Sequence, residues 1–281
     1  KSSNNSRKDT VFLFSNAVHK GILLSSASLR RSNTNCRIIL FTNLLRRKER
    51  TYFSSFLRFF PERFEKYLTN LGVEIVVINH SKAQNIVAHQ DRYECEYKWL
   101  KENINDTERT LHIDAFDSFF QGDPFTANYS GLVFAGEGYP IKSCSWNRKW
   151  VETCFSQKGF ELIKNKEIIC TGTIIGNARE YLKFLEVILQ MKEWETCRGD
   201  SLDQAFVNYA VYSGLLKNNS LQYRVDSCSG DILTMSKCTS NKHLNLTRNG
   251  LLTGLSRNPP LIIHQYNRYK RFQNHLESLC F

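Results

Sequence analysis

A chain of 281 residues with 38 Lys and Arg against 27 Asp and Glu, net charge +11, is long enough to bury a sizeable core in one large α/β domain or two small ones. Its apolar content excludes a disordered chain, and no apolar run approaches the ~18 residues that a membrane helix needs. The basic residues are scattered: Arg30-Arg31, Arg46-Arg47-Lys48 and Arg268 to Arg271 are short clusters without a nucleic-acid motif, so they read as solvated surface and no nucleic-acid partner is expected.

Residues 1–9 are polar and read as a linker. Val11 to Phe14 reads as a buried strand ending at Ser15-Asn16, followed by a helix over Lys20 to Arg31 and a second strand, Arg37 to Phe41, ending at Thr42-Asn43. An amphipathic segment from Arg47 to Leu71 leads over Gly72 into a strand at Val73 to Ile78. Another, Arg92 to Glu102, leads to the strand Thr110 to Ile113. Short apolar strands alternating with helices predict a mostly parallel, doubly wound sheet whose ligand site lies beyond the strand carboxyl ends. Ser15, Asn16, Thr42 and Asn43 belong at that edge, and so do the aspartates that follow Ile113.

The second half is less regular. Leu132 to Ala135 reads as a strand running into Glu137-Gly138, and Trp146 to Phe155 as a helix. Ile168 to Ile175 reads as a strand broken by Gly172, Ala178 to Glu195 and Leu202 to Ser213 as helices, and Leu261 to Ile263 as a last strand delivering His264 into a basic tail. No internal repeat is visible, so residues 10–125 and 126–281 read as two halves of one domain.

Asp114 and Asp117, close together at a strand end, suit a hard divalent cation such as Mn²⁺ or Mg²⁺, which prefers oxygen ligands and bridges diphosphates. Residues three apart cannot face the same way in a regular pleat, so the chain must bend after Asp114. An isolated pair of this spacing also occurs in plain turns, with Asp123-Pro124 as a second turn. Glu137, between a strand and a glycine, is either a turn residue or a group that meets an acceptor, as contact or base. Trp146 and Trp150 are four apart, the spacing of a packed helical face or of an aromatic platform.

The run IDAFDSFFQGDPF resembles the signature of GT-A nucleotide-diphospho-sugar glycosyltransferases, in which a strand ends in a metal-binding DxD or DxxD followed by aromatics and DPF. Other segments fall in the order of that superfamily over about residues 10 to 270. VFLFSNA and IILFTN look like its first nucleotide-binding strands, and DRYECEYKWL resembles the helix whose basic N-terminal residue faces the donor. CTGTIIGNA looks like the strand-and-glycine segment on the acceptor side, SLDQAFVNYAV like the Asp-Gln helix start, and IIHQYNR like the late His segment of retaining family 8-like enzymes.

The resemblance implies an α/β GT-A domain that moves a sugar from a nucleotide diphosphate donor, UDP-linked, to a hydroxyl of a glycan, glycoprotein or glycolipid, with retention. It implies metal ligands Asp114, Asp117 and His264, with Mn²⁺ or Mg²⁺ as cofactor. Ser15, Asn16, Thr42, Arg92, Asp114 and Gly172 would meet the nucleotide sugar, and Asp203 and Glu137 would flank the transferred sugar. On residue chemistry alone, Asp203 is also a first-turn carboxylate favoured by the helix dipole, and His264 a satisfied core histidine. Two positions depart from the family 8 pattern: DxxD stands for DxD, and Asn267 stands where Asp is expected. A non-catalytic sugar-nucleotide or glycan-binding relative and a basic polyanion-binding module are the rival readings. A glycosidase with paired carboxylates leaves the nucleotide-site strand ends unexplained.

Nine cysteines lack zinc-site spacing, and Cys144 to Cys154 is the one suggestive local pair. Sequons at Asn4, Asn105, Asn128, Asn218 and Asn245 favour a secretory-pathway lumen, in the Golgi or secreted, where disulfides persist. The chain starts at Lys1 without an initiator methionine or signal sequence. That fits a type II ectodomain whose membrane contact runs only through a segment absent from this chain.

Overall fold

The computed structural model describes residues 8–17, 19–33, 35–43, 61–78, 88–228, 230–235, 243–256 and 258–280. The Asn4 sequon, the Arg46-Arg47-Lys48 cluster, Cys238 and the first part of the amphipathic segment before α2 lie outside the described residues.

In chain order the first half runs β1 (Asp9–Ser15), α1 (Lys20–Ser32), β2 (Arg37–Thr42), α2 (Pro61–Asn70), β3 (Val73–Val77), α3 (Ala88–Asn103), β4 (Arg109–Ile113) and β5 (Ser118–Phe120). The second half continues with β6 (Leu132–Pro140), α4 (Ser145–Ile163), β7 (Glu167–Asn177), α5 (Ala178–Leu189), α6 (Asp203–Tyr212), α7 (Leu215–Asn218), β8 (Tyr223–Asp226), β9 (Ile232–Thr234), β10 (Asn245–Leu246), β11 (Leu252–Thr253), β12 (Ile262–His264) and α8 (Lys270–Ser278).

Seven strands form one sheet in the order β3-β2-β1-β4-β7-β6-β8, with helices on its faces. β1 to β4 are mutually parallel, as their alternation with helices predicts: Val11 pairs with Ile38 on one side and Leu111 on the other. β7 then runs antiparallel to both β4 and β6, so the sheet is mixed, and it continues across residue 130.

Alternation divides the core between the two faces. Phe12 and Phe41 point into a cluster with Tyr93, Tyr181, Phe184 and Phe206, while Val11, Leu13, Ile38 and Leu40 point into a second cluster with Ile22 and Phe64. A three-stranded sheet, β5-β12-β9, covers a third cluster beneath α8, formed by Phe119, Leu233, Ile263 and Phe272.

Three sequence expectations need correction. β7 passes through Gly172 without a break; the register to β6 shifts between the Phe134–Ile174 and Ala135–Cys170 pairs, so residues 171–173 form a bulge. Cys144 does not pair with Cys154. Ten residues along α4 span ~15 Å, well beyond the ~7 Å limit between bridged Cα atoms, and Cys154 instead bonds Cys197 in the turn after α5. Cys228 is also disulfide-bonded. The helix expected over Ala178 to Glu195 ends at Leu189, while α4 continues to Ile163 across a kink at Ser156, φ 62°.

Candidate metal centre and ligand cleft

The apolar run of β4 stops at Ile113, and the next residue, Asp114, donates its backbone N–H to the Gly172 carbonyl at 2.9 Å. The chain then bends over residues 115–117, as the aspartate spacing requires. α1 fixes that bend. The Ser25 hydroxyl donates to the Ala115 and Ser118 carbonyls at 3.0 and 2.7 Å, and the Ser118 hydroxyl to the Asp114 carbonyl at 2.7 Å. Gly21 allows this approach, because a Cβ there would fall 1.9 Å from the Phe116 carbonyl oxygen.

β12 pairs antiparallel with β5, opposing His264 to Ser118, and the Gln265 N–H donates to the Asp117 carbonyl at 2.8 Å. His264 Nε2 therefore lies 3.1 Å from Asp114 Oδ2 and 3.4 Å from Asp117 Oδ1. One ligand atom from each of Asp114, Asp117 and His264 falls within 4.8 Å of the others. Two carboxylates and an imidazole suit a borderline-hard divalent cation such as Mn²⁺ better than a soft one. Gly172 leaves room for the cluster, since a Cβ there would lie 2.1 Å from His264 Cε1 and 2.5 Å from Asp114 Oδ2.

Matched periodicities bring Arg92 to this point. His112 on β4 and Asp114 just past its end are two apart and share a face, while Glu96 and Arg92, four apart on α3, share a face at nearly the same spacing. Glu96 meets His112 Nδ1 at 2.9 Å and Arg92 meets Asp114. The other guanidinium nitrogen donates to Asp203 Oδ2 at 2.7 Å. Asp203 begins α6 without capping it; its side chain is spent on Arg92.

Burial works against ionisation of Asp114, but the Arg92 guanidinium, joined by His264, overcomes it and holds the carboxyl well below its ordinary range. Burial likewise disfavours a charged His264, yet Cys170, whose Sγ lies 3.5 Å from Nδ1, and the two aspartates hold the imidazole well above its usual value. Arg92 stays charged against its burial because Asp114 and Asp203 flank it.

Two lobes meet at Asp114, Asp117, Arg92 and His89. The larger, about 660 Å³, is lined among others by Glu137, Trp146, Asp203, Gln204, Gln265 and Arg268. The smaller, about 330 Å³, is lined by Phe14, Asn16, His19, Phe116 and Asn267. Of the residues singled out in the sequence, Asn16, Arg92, Asp114, Asp117, Glu137, Gly172 and Asp203 all border this cleft, and His264 lies directly beneath it.

Ser15 and Thr42 border neither lobe. They face each other across β1 and β2 and are buried, with the Ser15 hydroxyl accepting the Ala17 N–H at 3.1 Å. Strand-end position alone does not decide the face; alternation points Phe14 and Asn16 to the cleft and Ser15 away from it. Glu137 sits on strand β6, not in a turn, and hydrogen-bonds to Tyr139. Lys270 and Arg271 are exposed on α8, away from both lobes.

Sequence reasoning missed His19, His89, Gln265 and Arg268. Arg268 was legible only as part of a basic cluster. Nothing in the sequence marks Gln265, which adopts a left-handed backbone, φ 60° and ψ 33°, between β12 and a short 3₁₀ turn at Tyr266–Arg268.

Against known proteins, no family model matches the chain and no curated protein matches it.

Proposed function

We propose that this chain is a metal-dependent glycosyltransferase of GT-A type, moving a sugar from a nucleoside diphosphate donor, UDP-linked, to an acceptor hydroxyl with retention of configuration. The convergence of Asp114, Asp117 and His264 at the carboxyl end of β4, where two lobes of a cleft meet, carries this reading.

The smaller lobe, with Asn16, His19 and Phe116, supplies aromatic and polar surface for a nucleoside. Asp114, Asp117 and His264 would hold Mn²⁺ or Mg²⁺, and a cation bound there neutralises charge on a departing diphosphate. Arg92 orients Asp114 and keeps it ionised, and exposed Arg268, which borders the larger lobe, offers a positive charge to phosphate. Gly172 keeps the wall beside Asp114 low. Asp203 and Glu137 flank the position of the transferred sugar; in an inverting enzyme Glu137 is the candidate base for the acceptor hydroxyl. The sequon asparagines 105, 128, 218 and 245 are all exposed, which supports a reading as a secretory-lumen glycoprotein in the Golgi, or secreted.

Isothermal titration with UDP and GDP, each with and without Mn²⁺, tests the site. One nucleotide should bind only with the metal, and Asp117→Ala should weaken that binding at least ~100-fold, as for loss of a metal ligand. Nucleotide binding that ignores both Mn²⁺ and Asp117→Ala sinks the reading. NMR of the product anomer distinguishes retention from inversion. The second reading, a non-catalytic sugar-nucleotide-binding relative, draws on Asn267, which presents an amide to the smaller lobe where the family has a carboxylate. It predicts UDP binding without donor hydrolysis or transfer. A polyanion-binding module predicts steeply salt-dependent heparin binding that survives Asp117→Ala.

A further inference from the structure

The larger lobe holds an aromatic surface that core packing does not explain. Trp146, in the first turn of α4, is 64% exposed although it lines the cleft, the most exposed large hydrophobic side chain among the described residues. Its ring neighbours that of Trp150 one turn on, centroids 6.3 Å apart and planes tilted by 36°. The start of α4 is anchored beneath it: Asn147 is buried, accepts from Gln204 Nε2 at 2.8 Å and donates to Cys144 Sγ at 3.4 Å. An exposed tryptophan on an anchored helix start is a prepared surface, whereas one on a mobile tip is not.

The groups around the plate are polar. Ser143, Ser145 and Arg268 border the same lobe. One apolar plate in a lobe otherwise bordered by polar groups fits a pyranose, which offers a C–H face to an indole and hydroxyls around its edge. An acyl chain needs a continuous apolar groove, which this lobe lacks. The lobe's volume of about 660 Å³ is that of a small-ligand site.

We infer that the Trp146 lobe is an acceptor subsite for a hexopyranose, stacked on the Trp146 indole, with its hydroxyls meeting the polar groups that border the lobe. The acceptor is then a glycan, not a protein side chain or a lipid; this assignment of the acceptor rests on the glycosyltransferase reading, while the sugar-binding plate does not.

The test is saturation-transfer NMR with tryptophan fluorescence on the full chain. The probes are methyl β-D-galactopyranoside, methyl β-D-glucopyranoside, methyl α-D-mannopyranoside, N-acetyllactosamine and a Ser/Thr peptide, with UDP and Mn²⁺ titrated in parallel. At least one saccharide should bind, about tenfold more weakly in Trp146→Ala and nearly unchanged in Trp146→Phe, the expected scale for losing an aromatic contact. Trp146→Ala should leave UDP–Mn²⁺ binding intact, which also shows that the exposed substitution has not unfolded the chain. No saccharide binding up to ~20 mM, well above the millimolar range of weak sites, overturns the inference. Saccharide binding indifferent to Trp146→Ala, or peptide binding alone, does the same. Saccharide binding that depends on Trp146 in a protein that ignores UDP upholds the plate and fells the transferase reading; the converse pattern upholds the transferase and fells the plate.

Discussion

The two halves of the sheet solve different problems. β1 to β4 are short and parallel and, apart from the edge strand β3, largely buried, so each reads as a short, mostly apolar run and places its carboxyl end at a common edge. β6, β7 and β8 mix directions, carry a bulge at residues 171–173, and adjoin the small β5-β12-β9 sheet, two of whose strands come from the second half. The regular half supplies Asp114, Asp117 and Arg92; the irregular half supplies His264, Asp203, Cys170 and the Gly172 bulge. Regular structure sets the edge, and the irregular half closes a charged site onto it.

The sharpest way to break that division is Arg92→Ala. Arg92 pairs across the two halves, and its loss leaves Asp203, 1% exposed, as a buried carboxylate without its guanidinium. We expect a loss of about 3–5 kcal/mol in urea unfolding, the cost of breaking a buried ion pair by removing one partner. A loss below ~1 kcal/mol would mean that Arg92 does not tie the halves.

Next in size is the Cys154–Cys197 disulfide, which closes a 43-residue separation within the second half. Its replacement by serines should cost about 2–4 kcal/mol, with hydrogen exchange rising first in α4 and α6. Equal loss of protection in β1 and β2 would show the halves to be one cooperative unit.

Gly172→Ala tests the seam itself. The added Cβ meets the fully buried His264 ring, so about 1–3 kcal/mol of stability and most Mn²⁺ affinity should be lost, read by thermal melts and metal titration. Unchanged metal binding would mean that the bulge relaxes freely.

The smallest effect is on reactivity alone. Burial opposes the Cys144 thiolate, but hydrogen bonds from Asn147 and Tyr139 and the start of α4 outweigh it and lower the pKa. Burial pushes Cys36 up to about 11 and Cys95 to about 12. Cys144 should therefore carry the largest thiolate fraction near neutral pH and be alkylated by iodoacetamide before the other two, more slowly as pH falls, by mass mapping. Faster labelling of Cys36 would contradict this ordering.

Much of the first half was legible in the amino-acid order. The strands from Val11, Arg37, Val73 and Thr110 begin and end within a few residues of their observed bounds, because apolar runs between helical segments have few alternatives. The need for a bend between Asp114 and Asp117 was legible too, since pleat geometry is local. The face of Ser15 and Thr42 was not, because it depends on which side of the sheet carries the cleft. The partner of Cys154 was not, because a helix separates it from the nearer cysteine.

By itself, then, the sequence determined the α/β class, the parallel edge, and the carboxylates at that edge, all of which follow from periodicity and spacing within a few residues of chain. Only the tertiary structure decided that β7 enters the sheet antiparallel beside β4, that β12 brings His264 within 3.4 Å of both aspartates, and that Arg92 spans Asp114 and Asp203. Those contacts join residues 22 to 150 positions apart. Their partners are chosen by which apolar faces pack together, and no local pattern records that choice.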